Sequence, residues 1–374
     1  MKFDTVIIGG GLSGLICGIC LQRSGQQTAI ISMGQTALHF FSGSFESIGE
    51  SHPRFESLCA EAGIPLHYSP GVRLMPMGSF RPAALSLEDV DIFPTEHFAD
   101  KVLVVNFSGY YDFFTDFLAQ GLEQQGIRCR IREISFPGLL PGSLCGERRA
   151  VHIARAMDRS WQHVVQEIAS LLQDEDAVVL PQVFGLKDPG VPAAIRSSMP
   201  ARVVFAGTLP PSVPGMRTQM LLKKRYQLLG GTFLMGDEAV CAQIHEGRVH
   251  SIATRNLDSN HLQADRFVLA SGHFFSKGLT SNPDGIYEPV FGLDVDYAPD
   301  RNDWYDPAFA KDQPYIGYGV RTDAQLHAVK DGQPLTNLYA AGSVLGNTRP
   351  EFGCAAGQAV RSAFAVVDQI TQAL

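Results

Sequence analysis

The run Gly9-Gly10-Gly11-Leu12-Ser13-Gly14 restricts this chain more than any other segment. It fits G-x-G-x-x-G, with Gly9, Gly11 and Gly14 at the three fixed positions. Ahead of it, Phe3 to Ile8 is short, apolar and β-branched, the pattern of a buried parallel strand. Behind it, Leu15, Ile16, Ile19 and Cys20 recur at helical spacing from Leu12 to Arg23, and Gly25 is placed to cap the helix. Thr28 to Ser32 predicts a second strand. Together they predict one βαβ unit and an α/β fold. Gly9 then permits the tight turn, Gly11 lets the backbone approach a phosphate, and Gly14 lets helix and strand pack closely. The helix N-terminus offers free N–H groups and partial positive charge to that phosphate.

A dinucleotide site normally adds an acid about 20 residues on, which holds the adenosine ribose. Here that position falls near Ser32, and no Asp or Glu occurs between Asp4 and Glu46. FMN, a nucleotide that ends in phosphate, is the simplest expectation. FAD held by backbone groups alone is the second.

Composition narrows the class. Lys and Arg number 30 against 38 Asp and Glu, so the net charge is −8 and general nucleic-acid binding is not expected. Seven cysteines, thinly spread, do not read as a disulfide scaffold and fit a reducing cytosol. The apolar N-terminus carries Asp4 and is broken by glycines, which does not read as a signal peptide. No other apolar run approaches the ~20 residues that span a bilayer. The expectation is a chain soluble by itself, at a membrane only through a partner.

Further along, residues 35 to 84 read as irregular and Asn106 to Gly126 as a helix dense in aromatics. Ser160 to Gln173 and Met216 to Leu229 read as helices, Ala177 to Leu180 and Val203 to Ala206 as strands. Thr232 to Arg255 reads as two or three antiparallel strands, Arg266 to Ala270 and Leu338 to Ala341 as strands, and Gly357 to Leu374 as a closing helix. The expected division is a discontinuous flavin-binding domain, 1–84 with 232–374, around an inserted domain, 85–231.

Three later segments carry a resemblance. The run from Arg266 through Val268-Leu269-Ala270-Ser271-Gly272 to Ser276 resembles a strand and turn of two-dinucleotide-domain flavoproteins. Leu338-Tyr339-Ala340-Ala341-Gly342-Ser343 resembles their last sheet strand. Phe352-Gly353-Cys354-Ala355-Ala356-Gly357 resembles the Gly-rich start of their final helix. More specifically, Gln35-Thr36-Ala37-Leu38-His39-Phe40-Phe41-Ser42-Gly43-Ser44, Pro211 to Gly215 and Gly272 to Leu279 resemble the B subunit of anaerobic glycerol-3-phosphate dehydrogenase. The resemblance implies a Rossmann-like two-dinucleotide-binding-domain flavoprotein with an inserted α+β substrate or cap domain. It implies flavin contacts from Gly9, Gly11, Ser13, Gly14, Ser32, Ser42, Gly43, Ser44, Gly272, Gly342, Ser343, Gly353, Ala355 and Ala356. It further implies two partners, the FAD-bearing A subunit and the membrane-associated iron–sulfur C subunit, with transfer of electrons from glycerol 3-phosphate to quinone. The location implied is cytoplasmic, peripheral to the inner membrane. Another reductase of the fumarate-reductase-like fold, and a flavin protein that only relays electrons, are the alternatives.

Oxidising a secondary alcohol needs a base for the hydroxyl proton, and histidine titrates near neutrality. His39 and His273 adjoin the implied flavin segments. Arg349 and Lys277, with Arg361 behind them, are the candidate cations for a substrate phosphate. Cys17-Gly18-Ile19-Cys20 reads as small packing residues rather than a redox pair, and no iron–sulfur cluster or metal is expected. His245-Glu246-Gly247-Arg248-Val249-His250 reads as a hairpin tip.

Overall fold

The computed structural model describes residues 1–45, 52–135, 148–257, 260–308, 311–347 and 355–372. Strand β1 (Lys2–Ile8), helix α1 (Leu12–Arg23) and strand β2 (Thr28–Ser32) form the βαβ unit predicted above. The chain then runs through a 3-10 turn (Ala37–Phe40), α2 (Pro53–Glu61) and the hairpin β3 (Leu66–Leu74) and β4 (Phe80–Leu87). Next come β5 (Lys101–Phe107), α3 (Thr115–Gln124), β6 (Arg128–Ile134) and α4 (Ala150–Leu171). β7 (Ala177–Pro181), α5 (Val191–Ser198), β8 (Arg202–Ala206) and α6 (Val213–Leu228) follow. The last third holds β9 (Thr232–Met235), β10 (Ala239–His245), β11 (Arg248–Thr254) and β12 (Leu262–Leu269). Two short pairs come next, β13 (Thr280–Asn282) with β14 (Gly285–Tyr287) and β15 (Val295–Asp296) with β16 (Gly319–Val320). β17 (His327–Lys330), β18 (Gln333–Ala340) and α7 (Ala355–Gln372) complete the order.

Contacts divide the chain into two compact units. One contains Met1–Ala37 and Leu222–Leu374; among the described residues the other runs from Leu38 to Leu221. The sequence reading draws its borders at 84/85 and 231/232. The structure divides after Ala37 because the loop after β2 and the β3–β4 hairpin pack in the second unit, and again within α6.

The first unit is built on five parallel strands in the order β9-β2-β1-β12-β18, with β10 and β11 continuing antiparallel beyond β12 and β17 antiparallel to β18. β1 lies at its centre, with Ile8 opposite both Ile31 and Leu269. Val6, Ile7, Ala29, Ile30, Phe267 and Leu269 are fully buried, as a parallel sheet covered on both faces requires. The alternation from Thr232 to Arg255 suggests two or three antiparallel strands; β10 and β11 are antiparallel, whereas β9 runs parallel to β2. Only β10 and β11 form the hairpin.

The second unit contains a four-stranded parallel sheet in the order β6-β5-β7-β8 beside the antiparallel β3–β4 hairpin. The expectation of an α+β insertion is met by the hairpin, while the rest alternates strand and helix in the parallel manner. Val102, Leu103, Val104 and Val105 of β5 are fully buried. The sequence reading takes Asn106 to Gly126 as one helix. The structure ends β5 at Phe107 and begins α3 only at Thr115. The side chain of Asn106 donates to the carbonyls of Tyr110 (2.9 Å) and Phe113 (3.3 Å), which fixes the connecting turn. No helix among the described residues is long and apolar enough to cross a membrane.

Candidate functional site

In the first unit, the turn after β1 tests the duty of each glycine separately. Gly9 has φ +120°, and a side-chain carbon there would lie 2.1 Å from the carbonyl oxygen of Ala270, beyond the end of β12. A side-chain carbon at Gly14 would lie 1.9 Å from the carbonyl of Gly9, so only glycine lets α1 approach this closely. Gly11 is different. Its φ of −78° and ψ of −169° suit any residue, and a side-chain carbon would meet nothing within 4 Å among the described residues. No packing demands glycine there; its bareness leaves an open approach to the first turn of α1. The N-cap accepts no side-chain hydrogen bond and the first turn holds no acid. Its free N–H groups and helix dipole suit an anion, and a nucleotide phosphate fits this cradle.

The neighbouring predicted residues have definite places. Ser32, at the end of β2, is 4% exposed, and its hydroxyl faces the Gly34 carbonyl at 3.5 Å. It lies beneath Gly10, where a side-chain carbon would come within 2.6 Å of Ser32 Oγ. Ser13 Oγ donates to the Ala359 carbonyl (3.1 Å), and Cys17 Sγ to the Ala363 carbonyl (3.6 Å). Helices α1 and α7 therefore meet along small side chains one turn apart on each. Burial pushes the Cys17 thiol far up, away from thiolate chemistry. Gly342 donates its N–H to Ser362 Oγ (2.8 Å), which ties the turn after β18 to α7.

The turn after β12 holds Gly272, His273 and Lys277. Gly272 has φ +80°, and Gly278 fits only because its missing side chain would sit 1.8 Å from the Gly272 carbonyl. His273 Nε2 lies 2.9 Å from the Tyr318 carbonyl. A carbonyl only accepts, so Nε2 carries the proton and Nδ1 of the neutral ring keeps its lone pair. Burial holds the imidazole below its ordinary pKa, against the pull of that carbonyl. Ser271 Oγ is buried with no partner among the described residues. Lys277 is exposed with φ +60°. Ser343 is half-buried, with Oγ 3.7 Å from the carbon that Gly272 lacks. Ala355 is exposed and Ala356 half-buried where α7 begins. Arg349 and Gly353 lie outside the described residues.

In the second unit, two of the segments singled out in the sequence dock on each other. Ser212 N–H donates to the His39 carbonyl (2.7 Å), and a side-chain carbon at Gly215 would strike the Leu38 carbonyl at 1.8 Å. Ser42 is half-buried. Gly43, at φ +96°, lets the chain press on Val90, and Ser44 Oγ faces the Leu85 carbonyl at 3.4 Å. Burial lowers the pKa of His39, opposed by a hydrogen bond with the side chain of Gln219. The sequence reading missed Gln219, and it missed the buried ion pair of Arg217 and Asp89 at 2.7 Å. The one sequence cue for Gln219 is its place four residues after Gly215, on the same helical face.

The model of the family described as FAD binding domain matches residues 4–57 and 49–350. The B subunit of anaerobic glycerol-3-phosphate dehydrogenase from Yersinia enterocolitica is 35% identical over 420 residues, which covers 100% of this chain and 99% of that protein. The protein of the same name from Pectobacterium atrosepticum is 36% identical over 417 residues, 99% of each. Among solved structures, 3-ketosteroid delta1-dehydrogenase from Sterolibacterium denitrificans aligns over 100% of both chains at 11% identity and TM-score 0.44. The chain is a flavin-binding oxidoreductase of the α/β class, and it belongs to the family of anaerobic glycerol-3-phosphate dehydrogenase B subunits.

Proposed function

We propose that this chain holds FMN on the Gly9–Gly14 turn and oxidises sn-glycerol 3-phosphate to dihydroxyacetone phosphate within a multi-subunit dehydrogenase. The observation that carries the cofactor half is Gly11: an open approach to an uncapped, acid-free helix N-terminus. The choice of FMN over FAD rests on Ser32, which is buried beneath Gly10 and offers no carboxylate to a second ribose. The names of the relatives support the substrate. When bound, the flavin supplies a two-electron acceptor.

The residues have separate duties in this reading. Gly9, Gly11, Ser13, Gly14 and Ser32 shape the phosphate end. Ser42, Gly43, Ser44, Gly272, Gly342, Ser343, Gly353, Ala355 and Ala356 contribute the remaining contacts. His273 takes the hydroxyl proton at Nδ1, the nitrogen left basic by the Tyr318 carbonyl; His39 is the alternative base. Lys277 and Arg349 attract the substrate phosphate. Residues 85–231 serve as the cap and partner domain. Electrons leave through the iron–sulfur C subunit toward quinone, the FAD-bearing A subunit stands beside this chain, and the complex sits at the cytoplasmic face of the inner membrane.

The test is to purify the full chain, release the chromophore and weigh it, then follow dye reduction by glycerol 3-phosphate. FMN and turnover by the chain alone support the whole reading. FAD overturns the argument from Ser32. Retained flavin with turnover only after the FAD-bearing partner is added overturns direct oxidation and makes this chain an electron relay.

A further inference from the structure

In the first unit, the β13–β14 turn and the 3-10 turn Arg301–Asp303 border a cleft of about 380 Å³. Among the described residues it is lined by Ser281, Asn282, Pro283, Arg301, Trp304 and Tyr305, and none of these takes part in the site described above. Its size falls within the range of small-molecule sites, about 300–1,000 Å³. One wall is held in place. Trp304 Nε1 donates to the Ala298 carbonyl (2.7 Å), and Tyr297 meets the indole in a T with ring centres 5.9 Å apart. The Arg301 guanidinium lies over that indole, its central carbon 5.9 Å from the ring centre. Asp300 and Asp303 flank Arg301 in sequence, yet among the described residues it forms an ion pair with neither. The Asp300 carboxylate instead accepts from the backbone N–H and the side-chain amide of Asn302 (2.8 and 3.0 Å). The cation thus rests on an aromatic face and keeps its N–H edges for another partner.

The polar groups of the cleft are of one kind. Asn282 Oδ1 accepts the N–H groups of Asp284 and Gly285 (2.9 Å each), which fixes the amide and leaves its Nδ2 to donate. Arg301 offers donors only, and Ser281 and Tyr305 add hydroxyls. No carboxylate lines the cleft among the described residues. Donors grouped around a guanidinium match an anion, and the planar fork holds a carboxylate or a phosphate by two parallel bonds. Tyr305, 59% exposed, and Pro283 present apolar surface in the same cleft, which suits a flat ring better than a bare hydrated ion.

We infer that this cleft binds a small ring-bearing organic anion, with its carboxylate or phosphate on Arg301 and Asn282 and its ring against Tyr305. The inference goes beyond the proposed function. It does not depend on which flavin is bound or on the oxidation of glycerol 3-phosphate, a phosphate ester that has no ring.

The experiment is a calorimetric titration of the full chain with benzoate, phenyl phosphate, benzyl alcohol, inorganic phosphate and glycerol 3-phosphate. The emission of Trp304 gives a second readout in a Trp161→Phe background, which leaves Trp304 as the one tryptophan. Benzoate and phenyl phosphate should bind saturably and change that emission. The three probes that lack either the ring or the charge should bind at least about 10-fold more weakly. The tighter of the two ring anions identifies the anion as carboxylate or phosphate. Arg301→Gln should weaken both roughly 10- to 150-fold, the loss expected for hydrogen bonds to a charged group. Arg301→Lys keeps the charge without the fork and should recover part of that loss. Tyr305→Ser should weaken the ring anions about 10-fold and leave inorganic phosphate unchanged; it carries the test should the Arg301 variants not fold. No saturable binding of either ring anion overturns the inference. So does binding of benzyl alcohol or inorganic phosphate as tight as that of the ring anions, or ring-anion binding unchanged in both Arg301→Gln and Tyr305→Ser. Because binding is read without turnover, failure here leaves the dye assay standing, and failure of the dye assay leaves this site standing.

Discussion

The three glycines of the turn after β1 should fail in different ways when each becomes alanine. At Gly14 the new carbon would begin 1.9 Å from the Gly9 carbonyl, against an ordinary contact of at least 3.4 Å. Helix and strand must part by about 1.5 Å, the difference of those two values, and the obstacle is backbone that cannot rotate away. Overpacking costs typically 1–3 kcal/mol, and a rigid obstacle belongs at the top of that range. About 3 kcal/mol corresponds to a Tm roughly 6–12 °C lower for a domain of this size. Gly9→Ala adds a strained φ of +120° to a 2.1 Å clash and should cost more. Gly11→Ala meets nothing and needs no unusual φ. A weaker N-cap roughly offsets the smaller entropy of its unfolded chain, so its stability should stay within about 0.5 kcal/mol of the parent. Its methyl would instead stand where the phosphate approaches, and about 1–3 kcal/mol of overpacking there weakens flavin binding some 5- to 150-fold. Flavin-free protein would be melted by circular dichroism, and flavin affinity measured by fluorescence quenching. A Gly11→Ala protein that binds flavin like the parent refutes the cradle; a Gly14→Ala protein that melts like the parent refutes the packing argument.

Two further outcomes follow from buried charge. His39, His67 and His273 all have pKa values lowered by burial, so below about 6.5 the unfolded chain binds protons that the folded chain refuses. Stability from these groups is complete above that pH and is lost as pH falls through the window beneath it, by at most about 1.4 kcal/mol per pH unit for each. Urea titrations at pH 7.5 and 5.5 should show a smaller pH dependence in His273→Asn than in the parent, and an equal dependence would sink the assignment. Arg217→Met strands Asp89, 5% exposed, without its cation and should cost about 3–5 kcal/mol. Adding Asp89→Asn should restore part of that in urea midpoints, whereas no recovery would mean that Arg217 acts through packing alone.

What could be read from the sequence was what local spacing dictates. β1, the glycine turn, α1 and β2 lie within the first 32 residues, and every feature of that unit is a matter of which residue follows which. β5 escaped because Val102 to Val105 are buried on both faces, which erases alternation, and because the aromatic run beginning at Phe107 resembles an apolar helix. The β3–β4 hairpin escaped because Pro70 and Pro82 stand inside its strands and read as loop. Strand direction in β9 is not a property of alternation at all; it follows from pairing with β2, some 200 residues earlier. His39 and His273 could be named, but the tautomer of His273 could not, since it is set by the Tyr318 carbonyl, a partner distant in sequence.

The discontinuous sheet also bears on how the chain is made. β1 pairs with β12, Lys2 opposite Gln263, so β1 waits for a neighbour some 260 residues later. At about 5–20 residues per second that wait lasts roughly 13–52 s on the ribosome. The second unit, contiguous from Leu38 to Leu221 among the described residues, is complete well before then and can fold first. Throughout that interval β1 and β2, whose Val6 to Ile8 and Ala29 to Ile31 are buried in the finished sheet, emerge with no β12 or β9 to receive them. Nascent-chain shielding, by a chaperone or by early contact of α1 with its own strands, is thus a requirement written into the order of the strands, and slowing translation between residues 40 and 260 should lower the yield of folded protein.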